Sequence, residues 1–400
     1  MQHNNLSQLN HNEHTERSEE SLAVIASEAR QSIPEGWKVL ELGDVCKTIS
    51  DTYDLRNKEE IVFLNTSDVY DGKVLIRKPV PTRTLPGQAK KKIQKGDILY
   101  SEIRPANRRF AFVDFEAQEY VVSTKLMVLR PNQNINPKYL LLFLSSFEIL
   151  NHFQVLAESR SGTFPQITFD TIKYTSIPVP SLTEQQKIAE VLGALDEKIE
   201  LNRKMNKTLE SLGQAIFKKW FVDFENKSAW QEIKLGDLFP VKTGKKDANF
   251  SSEKGKYPFF TCSQGHLMAN DYSFDGSALL LAGNGDFNIK WYEGKFEAYQ
   301  RTYVLEPYEK NLLGFLYFLV EYSLDDITAG HRGSVINFLT KGMIEDFVIN
   351  LPPIEEIKTK SPVFNDVIKN IDFNKRQIET LSQVRDSLLP RLMSGRLRVK

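Results

Sequence analysis

Cysteine is almost missing from this chain: two residues in 400, Cys46 and Cys262. They stand far apart with no CxxC partner, which excludes a disulfide framework and a cysteine zinc site and fits the reducing cytoplasm. The six histidines (His3, His11, His14, His152, His266 and His331) show no metal-ligand spacing. No segment reaches the roughly 18 apolar residues of a membrane span; the richest run, Leu312 to Tyr322, is broken by Gly314 and Glu321. Neither charge dominates. Lys+Arg and Asp+Glu number 52 each, so a basic surface can arise only by local segregation. The N-terminus lacks the order of a secretory signal. It is polar, acidic around Glu16–Glu20 and apolar only at Leu22–Ala26, so residues 1–33 are expected to form a mostly disordered extension.

Enzyme signatures are equally thin. An adenine methyltransferase needs an Asn/Asp-Pro-Pro-aromatic segment, and the nearest text, Asn350-Leu-Pro-Pro353, breaks that spacing. No glycine-rich cofactor loop follows a strand, and Gly244-Lys-Lys lacks the Ser/Thr and upstream glycine of a P-loop. A metal-dependent nuclease joins acids to Glu-x-Lys. Asp275 and Asp286 followed by Glu293-Gly-Lys295 match formally, which keeps an Asp275/Glu293/Lys295 site as an alternative. However, Trp291–Phe296 reads more simply as a hairpin turn, and the first half of the chain has no equivalent. No catalytic residue, cofactor or metal ligand is expected.

What is present is an internal repeat. Trp37-Lys-Val-Leu-Glu-Leu-Gly-Asp44 resembles Trp230-Gln-Glu-Ile-Lys-Leu-Gly-Asp237 at an offset of 193. Ile172, Pro180, Ile199, Asn202, Leu209 and Ile216 then match Ile344, Pro352, Ile371, Asn374, Leu381 and Leu388 at an offset of 172. The first copy is longer by 193 − 172 = 21 residues, all before its closing strand. Each copy begins strand-rich, with β-branched runs such as Ile61-Val-Phe-Leu, Ile98-Leu-Tyr and Ala278-Leu-Leu-Leu-Ala. Turns at Asp71-Gly, Lys95-Gly-Asp and Gly283-Asn-Gly-Asp punctuate them. A short amphipathic helix follows. It is expected over Pro137–Phe153 (Leu140, Phe143, Leu144, Phe147 and Leu150 on one face) and over Asn311–Tyr322. A strand ending in Ile177-Pro-Val-Pro180 or Ile349-Asn-Leu-Pro352 precedes a long helix.

Thr183-Glu-Gln-Gln186 reads as a capping box. The helix it opens, to about Val222, spans roughly 60 Å at about 1.5 Å per residue. Its apolar seam is Ile188, Leu192, Leu195, Ile199, Asn202, Leu209, Leu212 and Ile216. Ser361-Pro362 reads as the N-cap and first residue of the second helix, ending near Pro390. Its seam is Val367, Ile371, Asn374, Ile378, Leu381, Val384 and Leu388. An antiparallel pairing about a pseudo-twofold axis would bring Asn202 to Asn374. The fold class is therefore α+β: two tandem strand-rich domains, each followed by a long helix, the helices pairing as an antiparallel coiled coil. The boundaries are 34–180 and 229–352 for the two domains, and 181–225 and 353–400 for the two helices and the tail.

Two similar modules at a fixed separation suit double-stranded DNA, whose own symmetry and repeat then match protein geometry. Basic clusters mark each copy. Lys90, Lys91, Lys92, Arg104, Arg108 and Arg109 lie in the first; Lys242, Lys245, Lys246, Lys290 and Arg301 lie in the second. Two loops at matching places add donors: Arg160, Ser161, Thr163 and Gln166, and His331, Arg332, Ser334 and Asn337. Asn284, in the glycine-rich turn, joins them. Lys and Arg contact phosphates, while Arg, Asn and Gln read base edges. Charged clusters are also the ordinary solvated face of a protein, and a repeat with long helices also suits a coiled-coil adaptor that binds no DNA.

These motifs, with Lys95-Gly-Asp-Ile-Leu99, Ile177-Pro-Val-Pro-Ser-Leu-Thr-Glu-Gln-Gln-Lys-Ile188 and Leu388-Leu-Pro-Arg-Leu-Met-Ser-Gly-Arg-Leu-Arg-Val399, resemble the specificity subunits of type I restriction-modification systems. The resemblance covers about 35–400. It implies two target-recognition domains that read a split DNA sequence, and a two-helix spacer that sets the gap. It also implies docking of two methyltransferase subunits and of restriction subunits, which supply catalysis, methyl donor and ATP. The second copy departs at Ile354-Glu-Glu-Ile357, where Thr-Glu-Gln-Gln is missing. Residues 1–33 have no counterpart, consistent with an upstream start codon or inserted sequence.

Overall fold

The computed structural model describes residues 33–160, 163–329 and 338–399. The expectation for the N-terminal extension lies outside them, as do Ser161, His331, Arg332, Ser334, Asn337 and the side chain of Arg160. The described chain divides into two compact units. Unit 1 ends at Lys198 and resumes from Thr380; unit 2 is Ile199–Glu379.

Unit 1 runs β1 (Lys38–Glu41), α1 (Leu42–Val45), β2 (Cys46–Ile49), β3 (Glu60–Leu64), β4 (Val69–Tyr70), β5 (Lys73–Val74), β6 (Pro79–Pro81), β7 (Ala89–Lys92) and β8 (Ile98–Ser101). It continues with β9 (Phe110–Phe112), β10 (Tyr120–Ser123), β11 (Leu126–Pro131), α2 (Pro137–Ser145), α3 (Phe147–Arg160), α4 (Phe169–Ile172), β12 (Ser176–Val179) and the first half of α5 (Leu182–Phe217). Two four-stranded sheets, ordered β6-β3-β10-β7 and β2-β11-β8-β9, hold its core. Fully buried Ile98, Leu129, Tyr139 and Leu140 belong to one cluster; Leu64, Leu99 and Val128 belong to another.

Unit 2 runs through the rest of α5, then β13 (Gln231–Lys234), β14 (Val241–Thr243), β15 (Tyr257–Phe260), β16 (His266–Ala269), β17 (Phe274–Ala282), β18 (Ile289–Ala298) and β19 (Thr302–Leu305). It closes with α6 (Leu313–Thr328), α7 (Lys341–Glu345), β20 (Val348–Leu351) and most of α8 (Ile354–Met393). One six-stranded sheet, β14-β19-β17-β18-β15-β16, packs its apolar face on α6.

The repeated Leu-Gly-Asp has the same task in both units. β1 pairs antiparallel with β12, and β13 with β20, so the first strand of each copy meets its last. Leu42 and Leu235 are fully buried, worth about 2 kcal/mol each. The aspartates turn back: Asp44 Oδ2 accepts from the Glu41 amide and Asp237 Oδ2 from the Lys234 amide, both at 3.1 Å. Between them, a β-carbon on Gly43 would lie 3.4 Å from the Lys173 carbonyl oxygen, and one on Gly236 would lie 3.1 Å from that of Glu345. The approach at Gly236 is tighter than an ordinary β-carbon contact, while that at Gly43 is an ordinary one.

Several local expectations are corrected. The helix expected over Pro137–Phe153 is two helices bent by 63° at Ser146. Ser146 adopts extended backbone, its hydroxyl donating to the Phe143 carbonyl, so Phe147 points outward while Leu150 and Phe153 are re-phased inward. The second copy's helix runs six residues past Tyr322 to Thr328. At the start of α5 the cap is Ser181, whose hydroxyl accepts from the Glu184 amide at 3.3 Å; Gln186 instead bonds Asn136 and Glu190. α8 starts at Ile354, runs unbroken past Pro362, and ends at Met393 rather than near Pro390. The missing Pro362 N–H is outweighed by burial of Ile357 and Phe364, and by Ser361 and Asn365 donating to the Asn311 carbonyl of the same unit. Trp291–Phe296 lies inside β18; the hairpin turn is Gly283–Asn288.

Helix pairing is antiparallel. In unit 1, Asp196 meets Arg385 at 2.8 Å; in unit 2, Asn202 donates to Gln377 at 3.0 Å and Asn374 to Asn206 at 2.9 Å. Asn374 therefore bonds Asn206, one turn beyond the expected Asn202. The seam also shifts: Leu212 and Val384 are exposed, and Gly213 takes the inner position, where the Phe318 ring fills the space a β-carbon would need. No single helix among the described residues is long and apolar enough to cross a membrane.

Candidate nucleic-acid interface

In unit 1 the backbone draws β8's exit and the loop before α4 together. Ile103 bridges Gln166, the Arg104 amide donates to the Pro165 carbonyl, and the Ile167 amide donates to that of Glu102. Arg104 and Gln166 are thus brought together, with Thr163 three residues before Gln166. Arg104 and Thr163 are exposed, and Arg104 sits at φ +44°, a left-handed conformation uncommon for arginine. The Ala106 amide donates to Gln154 on α3, fixing the Pro105–Asn107 turn.

Unit 2 repeats the scheme. The exit of β17 pairs with the chain before α7: Asn284 bridges Phe338, and the Leu339 amide donates to the Gly283 carbonyl. The Gly283 amide donates to the Arg301 carbonyl, bringing the β18–β19 turn alongside. A β-carbon on Gly283 would fall 2.5 Å from that oxygen, so the turn needs glycine there. The Gln300 backbone amide donates to the Lys246 carbonyl, adding the loop after β14.

The candidate cations divide by what their side chains already hold. Lys90, Lys92, Arg104, Lys245 and Arg301 are exposed, and the Lys245 and Lys246 ammoniums lie over the Phe274 and Phe250 rings at 5.4 and 4.5 Å. Arg108 pairs with Asp71, and Lys242 with Glu306. Arg109 donates to the Ser67 and Val69 carbonyls and lies over the Tyr70 ring. Lys91 donates to the Thr124 and Leu126 carbonyls, and Lys290 to those of Thr261 and Ser263 and to Asn288 Oδ1. Burial lowers the Lys91 pKa and brings Lys290 to about 8. Of the spacer residues, Ile199 and Ile371 are buried, Asn206 donates to the Ile371 carbonyl, and Leu195, Leu209, Ile378 and Leu381 are half-buried.

Sequence reasoning missed Gln154, Asn288 and the aromatic supports of the lysines. Asn288 had a signal, its place in the Gly283–Asn288 turn. The others are joined only by tertiary contacts. The nuclease alternative gains nothing: Asp275 sits opposite Lys295 in the β17–β18 ladder, the Lys295 ammonium lies over the Tyr272 ring, and no group of three His, Cys, Asp or Glu converges among the described residues.

A family model described as the type I restriction modification DNA specificity domain matches the chain twice, over residues 34–211 and 227–383. The chain is 52% identical over 190 residues to the specificity subunit of type I restriction enzyme HindI from Haemophilus influenzae, covering 47% of this chain and 41% of that protein. It is 40% identical over 172 residues to the EcoDI specificity subunit of Escherichia coli, covering 42% and 38%. These matches thus span about two-fifths of either relative. The MjaIX specificity subunit of Methanocaldococcus jannaschii aligns at 26% identity over 347 residues, covering 76% and 78%. The type I restriction-modification S subunit from M. genitalium shares the fold, with a TM-score of 0.60 at 16% identity over 90% of this chain and 96% of that one.

Proposed function

Since this chain belongs to the family of type I restriction modification DNA specificity domains, we propose that it directs a type I restriction-modification complex to a bipartite duplex DNA target in the cytoplasm. Residues 34–180 read one half-site and 229–352 the other. The paired helices, 181–225 and 353–400, set the gap. Arg104, Thr163 and Gln166 contact DNA in the first domain; Lys245, Lys246, Asn284 and Arg301 do so in the second. The observation that carries this reading is the duplicated loop pairing. Each unit pairs the exit of a central strand with the chain preceding its closing strand, bringing the backbone of Ile103 to that of Gln166 in the first and the backbone of Asn284 to that of Phe338 in the second.

Catalysis, methyl donor and ATP belong to partners: two methyltransferase subunits, joined by restriction subunits. Duplication again supports this. Exposed Leu182, Val191, Leu201 and Leu212 on α5 correspond, each at an offset of 172, to exposed Ile354, Val363, Phe373 and Val384 on α8. Matched apolar residues left in water suit two copies of one partner. The neutral net charge is then acceptable, because partners share the electrostatic affinity.

Gel-shift of the chain alone and with the methyltransferase encoded beside it tests the reading. Retardation of duplex DNA, with the partner if not without it, is the expected result, and no retardation in either case refutes it. Methylome sequencing of a host carrying the gene should return a split motif, and Arg104→Ala should relax one half of it.

A further inference from the structure

Building on that reading, we propose that Lys91 and Lys290 are positioning residues: each locks the reading loops of its own unit from beneath and touches no phosphate, so each sets the sequence choice at one half-site.

The Lys290 ammonium reaches three oxygens, the Thr261 and Ser263 carbonyls and Asn288 Oδ1. An ammonium has three donors, so this one is saturated. Asn288 extends the tie. Its amide nitrogen donates to the Cys262 carbonyl at 2.8 Å and to that of Asp286 at 2.7 Å. Cys262 Sγ contacts the Arg301 carbonyl, the same oxygen that receives the Gly283 amide next to Asn284. Three loops are thus tied to one another around the half-buried Lys290 and the buried Asn288.

Unit 1 has its own version. The Lys91 ammonium donates to the Thr124 carbonyl at 3.0 Å and to that of Leu126 at 2.8 Å, holding the β10–β11 turn. The Lys125 carbonyl in that turn receives the Glu102 amide, and Glu102 leads directly into the Ile103–Gln166 bridge under Arg104. Both lysines are half-buried, and burial lowers both pKa values. A phosphate contact needs an ammonium that can turn outward with donors to offer. A preset loop needs what is seen here, an ammonium turned onto carbonyl oxygens, three for Lys290 (one of them the Asn288 side chain) and two for Lys91. Misplacing a reading loop by a fraction of an ångström breaks base-edge hydrogen bonds while leaving the backbone contacts that carry salt dependence.

The two roles separate in one experiment. The full chain with its methyltransferase partner is offered a duplex library of random sequence at about 50 and 200 mM salt, and bound molecules are sequenced. For Lys290→Met the expected result is a loss of roughly 10-fold or more in discrimination at the half-site read by unit 2, as for a mismatched base pair. The other half-site and the slope of log affinity against log salt stay unchanged. Lys91→Met should do the same to the other half-site. Lys90→Ala and Lys245→Ala, which remove exposed charges, should instead lower the slope by about 0.9 per lost phosphate contact and keep discrimination. If Lys290→Met fails to fold, Asn288→Ser removes the tie without changing any charge and must also lose discrimination in unit 2's half-site. A lowered slope with discrimination intact in the lysine variants, or intact discrimination in Asn288→Ser, overturns the proposal. A wild-type complex that selects no sequence overturns the functional reading as well, and shows itself before any variant is compared.

Discussion

At the residue scale, one charge pair outweighs the many surface ones. Asp97, fully buried in the Lys95-Gly-Asp turn, accepts two bonds from Arg130 at 2.7 and 2.8 Å and one from the Gln94 amide at 2.9 Å. Arg130 keeps 23% of its side chain exposed, so losing Asp97 sits at the low end of the roughly 3–5 kcal/mol that stranding a buried charge costs. Asp97→Ala should therefore lower the unfolding free energy by about 3 kcal/mol in denaturant titration, while Arg56→Ala, whose partner Asp54 is also exposed, should be near neutral. The sequence marks Asp97 as a turn residue but is silent on Arg130, which lies 33 positions away. The same limit applies to the candidate contacts. Composition marks Lys90, Lys91 and Lys92 alike; only alternation along β7 separates the outward pair from the one that turns in.

At the element scale, periodicity and repeat spacing located the central strands, the closing strands and both long helices, because each buries a face that must recur at its own period. Boundaries failed where a tertiary contact outweighed a local signal. Ser146 breaks a continuous apolar pattern through one hydroxyl bond, and Pro362 fails to start a helix because Phe364 and Ile357 are already buried around it. That second case predicts a gain. Pro362→Ala restores an N–H opposite the Lys358 carbonyl, recovering about 3 kcal/mol of proline penalty less about 1 kcal/mol for a freer unfolded chain. A rise of about 2 kcal/mol in stability is expected, read as a higher thermal midpoint for unit 2. No change would mean that α8 already compensates the lost bond at that turn.

At the scale of the whole molecule, the repeat is permuted. Leu392 and Met393 at the end of α8 are buried in unit 1's core, with Leu397 and Val399 packed against it. Arg398 clamps Glu184 at 2.7 and 2.9 Å, and the Trp37 indole donates to the same carboxylate at 3.2 Å. Gly395, at φ +71°, touches Pro34. Phe217 and Phe221, near the end of α5, enter unit 2's core in the corresponding place. Truncation after Gly395 should thus lower the melting transition of unit 1 and leave that of unit 2 in place, separable by calorimetry. A joint shift of both transitions would argue against independent units.

That return of the tail to unit 1 sets an order of events on the ribosome. Unit 1 begins first and is completed last, since Ile199–Glu379 must be made in between. At about 5–20 residues per second, that interval is roughly 10 to 40 s. Throughout it the core of unit 1 lacks Leu392 and Met393, and unit 2, complete once Glu379 is made, can close before they are added. A nascent chain stalled before Leu392 therefore displays an incomplete first reader, and a premature stop there yields a protein with its later half the sounder one.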